Sequence, residues 1–71
     1  MNEEELRRYL RALKPGERVV ETTAGSMLHR RQGAVYISDT PGPSFGSICV
    51  RWDGPENLGT SVTGGTRRLT D

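Results

Sequence analysis

The chain has 71 residues, 32% apolar and 27% charged, with nine glycines, four prolines and a formal net charge of +1. That length holds one hydrophobic core and no second domain. A single cysteine, Cys49, and a single histidine, His29, rule out an intrachain disulfide and a metal site built from several such ligands, while near-neutrality excludes a surface that is basic throughout, so that any phosphate-binding patch must be local.

Leu6, Tyr9, Leu10 and Leu13 recur with the spacing of one helical face, Asn2 stands where an N-cap belongs, and Glu5 follows three residues later. A helix over 3–13 is predicted. Glu3 to Glu5 occupy its first turn and Arg7, Arg8, Arg11 and Lys14 lie further along, which suits the helix dipole and makes an exposed, salt-bridged face the expectation for these arginines. Pro15 and Gly16 end the helix. From there the periodicity becomes that of short strands: 17–22 (ERVVET), 32–38 (QGAVYIS), 47–53 (SICVRWD), a short strand around Val62 and a last one over 66–70 carrying Leu69. Val35 and Ile37 share one face of the second strand and Ile48, Val50 and Trp52 one face of the third. These residues and Leu69 are the expected core, with Trp52 as its anchor. The stretch DTPGPSFG is expected as a turn or loop. Five strands separated by tight turns, with no helix able to make a crossover, predict a mainly β fold: an antiparallel barrel or small sandwich over 16–71, preceded by one N-terminal α-helix, the whole of 1–71 forming a single domain.

Two stretches carry a resemblance to small SH3-like barrels. PGERVVETTAGSMLHRRQGAV resembles the KOW motif, with Gly16, Val19, Gly25, Gly33 and Val35 in the positions of that motif's glycines and valines and Leu28 and His29 where the family tends to carry a further glycine. ICVRWDGPENLGTSVTGGTRRL is similar to the third to fifth strands of barrels of the mind-bomb type. The resemblance spans about residues 16 to 70. It implies an SH3-like five-stranded antiparallel barrel that binds RNA, ribosomal or transcription complexes, or peptide segments through the loop after the first strand and nearby strand ends.

Candidate ligand-binding residues follow from charge and from aromatic placement. His29, Arg30 and Arg31 form a cationic cluster on a glycine-bracketed loop, where guanidinium groups suit phosphate or carboxylate ligands. Arg51, Arg67 and Arg68 could support them, although successive arginines on a strand point to opposite faces, so only one of Arg67 and Arg68 can lie beside Arg51. Tyr36 and Phe45 are the rings expected to be partly exposed, available to a base or a protein. No catalytic motif is present: Ser26 and His29 lack an acidic third member, and the GGT at 64–66 lacks a phosphate-loop lysine. The expectation is therefore a non-catalytic binding module without a cofactor, acting on RNA or DNA or a nucleic-acid-associated complex. The alternative is a protein-protein adaptor or inhibitor using the PGPSFG loop, Tyr36 and the helix, possibly as a dimer; the oligomeric state is left open. The unpaired cysteine and a charged N-terminus unlike a signal peptide suggest the cytoplasm, and no apolar run approaches the roughly 20 residues that span a bilayer.

Overall fold

A computed structural model describes residues 1–42 and 46–70. The chain forms one helix, α1 (Glu3–Arg11), and five strands: β1 (Arg18–Glu21), β2 (Gln32–Gly42), β3 (Gly46–Trp52), β4 (Gly59–Ser61) and β5 (Thr66–Arg68). Every pairing is antiparallel and the sheet order is β4-β3-β2-β1-β5. The mainly β architecture with one N-terminal helix is the one expected.

The connection from β4 to β5 bends the sheet. Ser61 and Thr66 stand on its two edges and are five residues apart. Five residues reach at most about 17 Å, whereas the edges of a flat five-stranded sheet lie roughly 19 Å apart. The sheet must therefore curl. It does not close, because no ladder joins β4 to β5 among the described residues.

Inside the curl lie Val19, Val35, Ile48, Val50, Trp52 and Val62, with Leu10 and Leu13 laid over them from the helical segment. Trp52 is the expected anchor, and its indole N–H donates to Thr60 Oγ1 at 2.7 Å, so burial leaves no orphaned donor. The helix begins as predicted, with the Asn2 side chain accepting from the Glu5 amide, and Leu6, Tyr9, Leu10 and Leu13 all face the core or its margin. Tyr9 Oη also accepts the Arg68 amide at 2.7 Å, which ties α1 to β5.

Two expected core residues lie outside it. Ile37 is in phase with Val35, yet it is 51% exposed. Backbone bonds from β1 and the segment before it reach only to Val35 of β2, so β2 outruns its neighbour and, among the described residues, no strand lies beside Ile37 on that edge. Leu69 is exposed because its amide bonds to the carbonyl of Arg18, an outward-facing position, while the inward positions of β5 go to Thr66 and Arg68, opposite Glu21 and Val19. The DTPG stretch, expected as turn, instead continues β2 to Gly42, which pairs with Gly46. Proline is compatible with this strand because β2 has an open edge there.

The link 62–65 is held down by a buried carboxylate. Glu21 is only 1% exposed, and its oxygens accept from Thr63 Oγ1 at 2.8 and 3.0 Å, from the Thr23 amide at 3.1 Å and from Thr66 Oγ1 at 3.4 Å. Burial pushes the Glu21 carboxyl up, but the hydrogen bonds from Thr23, Thr63 and Thr66 outweigh it and hold the group below its ordinary value. Gly65 lies against this cluster: a Cβ there would fall 2.8 Å from the Thr23 amide nitrogen and closer still to Thr23 Oγ1 and Glu21 Oε2. The only residue that fits is glycine.

Candidate functional site

The sheet has an outward face on which one row crosses four strands: Arg18, Ala34, Arg51 and Gly59 are successive cross-strand partners. Tyr36, on the same face, lies across β3 toward β4. Its hydroxyl would stand 2.7 Å from a Cβ on Gly59, so the glycine makes room for the ring. Burial and the adjoining Cys49 push the Tyr36 phenol above its ordinary pKa. Over this ring sits the guanidinium of Arg51, 5.3 Å from the centroid, with Asn57 Oδ1 3.5 Å from its Nη1. Asn57 holds a left-handed backbone at φ 50°, a conformation asparagine tolerates better than most residues. Arg51 has no acidic partner among the described residues.

Arg18, at the other side of Ala34, makes a two-pronged pair with Asp53, one limb of which measures 3.2 Å. The hydrogen bonds from Arg18 hold the Asp53 carboxyl below its ordinary value. Between the two arginines, Ala34, Asp53, Gly54 and Asn57 line a shallow depression of about 430 Å³. Such a face offers one un-neutralised guanidinium, a second that can exchange its partner, and a half-buried ring.

The remaining expected residues are distributed differently. His29 and Arg30 are exposed on the 22–31 loop, where Arg30 takes a left-handed φ of 68° and its amide donates to the Glu21 carbonyl at 2.8 Å. Arg31 is ion-paired to Glu56 across the adjoining turn. Arg67 donates to the carbonyls of Gly64 and Thr66 and lies 5.5 Å from the Tyr9 ring centroid. Arg68 bonds Glu17 and the Ala12 carbonyl and lies 4.9 Å from the same ring. These two arginines gather at α1, and β1 and β2 separate them from Arg51. Phe45 lies outside the described residues.

The outward face thus joins Tyr36 and Arg51 from the expected set and adds Arg18 and Asn57. Alternation in ERVVET puts Arg18 opposite in phase to the buried Val19, and the turn GPENLG is a natural place for a left-handed asparagine; both signals were available in the sequence. Among the described residues no group of three His, Cys, Asp or Glu side chains could share a metal ion, and no helix is long and apolar enough to cross a membrane. No protein-family model matches this sequence, and neither the curated proteins nor the solved structures supply a match.

Proposed function

We propose that this chain is a non-catalytic small β module that binds single-stranded nucleic acid, or a complex built on it, through the outward face carrying Arg51, Tyr36 and Arg18. The observation that carries this reading is Arg51: a guanidinium without an acidic partner among the described residues, stacked over a ring and steadied by Asn57. A cation positioned in advance loses little freedom on meeting a phosphate, and guanidinium offers it paired N–H donors. The neighbouring ring and the flat face suit unpaired bases, which stack on aromatic and guanidinium planes.

Duplex binding is the weaker fit. It draws on a broad positive field, and here the net charge is +1 and, among the described residues, five basic side chains are engaged by carboxylates. The SH3-like barrel belongs to the same reading. A strand order with the fifth strand beside the first is what a small barrel opened along its β4–β5 seam would have, and Gly16 and Gly25, two of the KOW-like glycines, take positive φ values of 90° and 86°.

Fluorescence anisotropy with a labelled single-stranded RNA tests the proposal. Wild type should bind at low salt and Arg51→Ala should bind about tenfold more weakly, the loss of one charge-assisted contact. Equal affinities, or no binding by wild type, would overturn it.

A further inference from the structure

The depression between Arg18 and Arg51 brings two guanidinium groups to one space. The two residues are the cross-strand neighbours of Ala34 on either side, so their Cα atoms stand about two strand spacings apart, roughly 10 Å. Ala34 puts only a methyl group between them, and both arginines line the space beside it together with Asp53, Gly54 and Asn57. Of the described residues that line it, Arg18, Arg51 and Asp53 are charged, so the depression carries one positive charge in excess. Asn57 turns Oδ1 to Arg51, which leaves its NH2 group as a further donor. Gly54 holds a φ of 145°, a conformation that residues with a side chain rarely adopt, and so keeps its part of the wall bare.

Asp53 decides which anion fits. It holds Arg18 in a two-pronged pair whose side chains are both about half exposed, so the pair contributes little to stability and is open to exchange. A phosphodiester carries one negative charge, no more than the carboxylate it would have to displace. A phosphomonoester carries about −1.5 to −2 at pH 7 and has three terminal oxygens, enough to accept from both guanidinium forks at once. We propose that the depression binds the phosphorylated end of a single strand, its terminal phosphate seated by Ala34 between Arg51 and Arg18. The proposal rests on the nucleic-acid reading of this face and adds to it the strand end as the preferred ligand.

Fluorescence anisotropy with internally labelled single-stranded RNA tests the proposal. One probe carries a phosphate at its 5′ end, a second at its 3′ end, and the reference has hydroxyl groups at both ends and is lengthened to match their net charge. At pH 7.5 a phosphorylated end of one kind or the other should bind about tenfold more tightly than the reference, the gain of one charge-assisted contact. Arg18→Ala should erase this preference. Asp53→Asn, which removes the competing charge, should tighten the reference and so narrow the preference. Near pH 5 the monoester, whose second pKa is about 6, loses its extra charge, and the preference should shrink toward parity. Asp53, its carboxyl held low by Arg18, keeps its charge there, and titration of groups outside the depression, the Arg31–Glu56 pair behind Gly54 included, acts on all probes and cancels in their ratio. Equal affinity for both phosphorylated probes and the reference, a preference that survives Arg18→Ala, or one unchanged near pH 5 would overturn the proposal. If all probes then still bind in an Arg51-dependent way, the nucleic-acid reading stands without it; if none binds, both fall.

Discussion

Glu21→Gln isolates the carboxylate that fastens the β4–β5 link to β1. The substitution keeps the side chain's shape but replaces one acceptor oxygen with an NH2 group. The Thr23 amide is a fixed backbone donor 3.1 Å from Glu21 Oε2, while Thr63 Oγ1 reaches both oxygens and can turn its hydroxyl. Glutamine with its oxygen in the Oε2 position still accepts from the Thr23 amide and Thr63 Oγ1, and its NH2 can donate to Thr66 Oγ1, but none of these bonds then goes to a charged acceptor. Losing that charge assistance in a buried cluster costs about 1–3 kcal/mol. For a chain of this size, whose whole stability is of the order of 4–10 kcal/mol, that is a large share. The effect also carries a pH signature. Because the folded-state pKa of Glu21 is lowered, its carboxylate contributes stability that is present above the unfolded-state pKa and lost as pH falls through the folded-state value. Glutamine does not titrate. Asp53 and Glu17, whose carboxyls are also held low by their partners, titrate in both proteins and cancel in the comparison. Urea unfolding of wild type and variant should thus show a gap of about 1–3 kcal/mol at neutral pH that narrows on acidification. A gap absent at pH 7, or one unchanged at acid pH, would mean that the Glu21 carboxylate does not fasten the link.

Gly65→Ala forces a methyl group against the backbone nitrogen of Thr23 and the Glu21 carboxylate, and should cost on the order of 2–4 kcal/mol in denaturant melts; a melt like that of wild type would mean the link can shift aside. Leu10→Ala opens a cavity between α1 and the sheet, where Leu10 is fully buried. It should cost about 2–5 kcal/mol, and a loss below about 0.5 kcal/mol would mean that the helix is an appendage.

The fold was legible wherever local periodicity and core position coincide. The α1 stripe, its Asn2 cap and the alternation of Ile48, Val50 and Trp52 all ended where the pattern placed them. Ile37 shows the limit: its phase was right, but burial depends on whether β1 extends beside it, and that is a property of another strand's length. Leu69 failed through register, since apolar character does not reveal which face of a three-residue strand looks inward. Glu21 carried a usable signal, because it falls in phase with Val19 and the chain is rich in threonines at 22, 23, 63 and 66, the donors a buried carboxylate requires. For the site, the arginines were visible but not their partners. That Arg31 meets Glu56 and that Arg67 and Arg68 converge on Tyr9 are contacts between segments far apart in sequence, which charge clustering along the chain does not reveal.

If Arg51 and its surroundings engage phosphate on a single strand, as proposed, a salt titration reads that contact. Affinity for single-stranded RNA should fall linearly in log-log coordinates as salt rises, and Arg51→Ala should make the slope shallower by about 0.7, the contribution of one phosphate contact on a single strand. Tyr36→Ala should weaken binding by about 1–3 kcal/mol, through lost stacking, while leaving the slope unchanged. Wild-type binding whose slope is the same with and without Arg51, or no binding at low salt where attraction is least screened, would mean that Arg51 meets no phosphate.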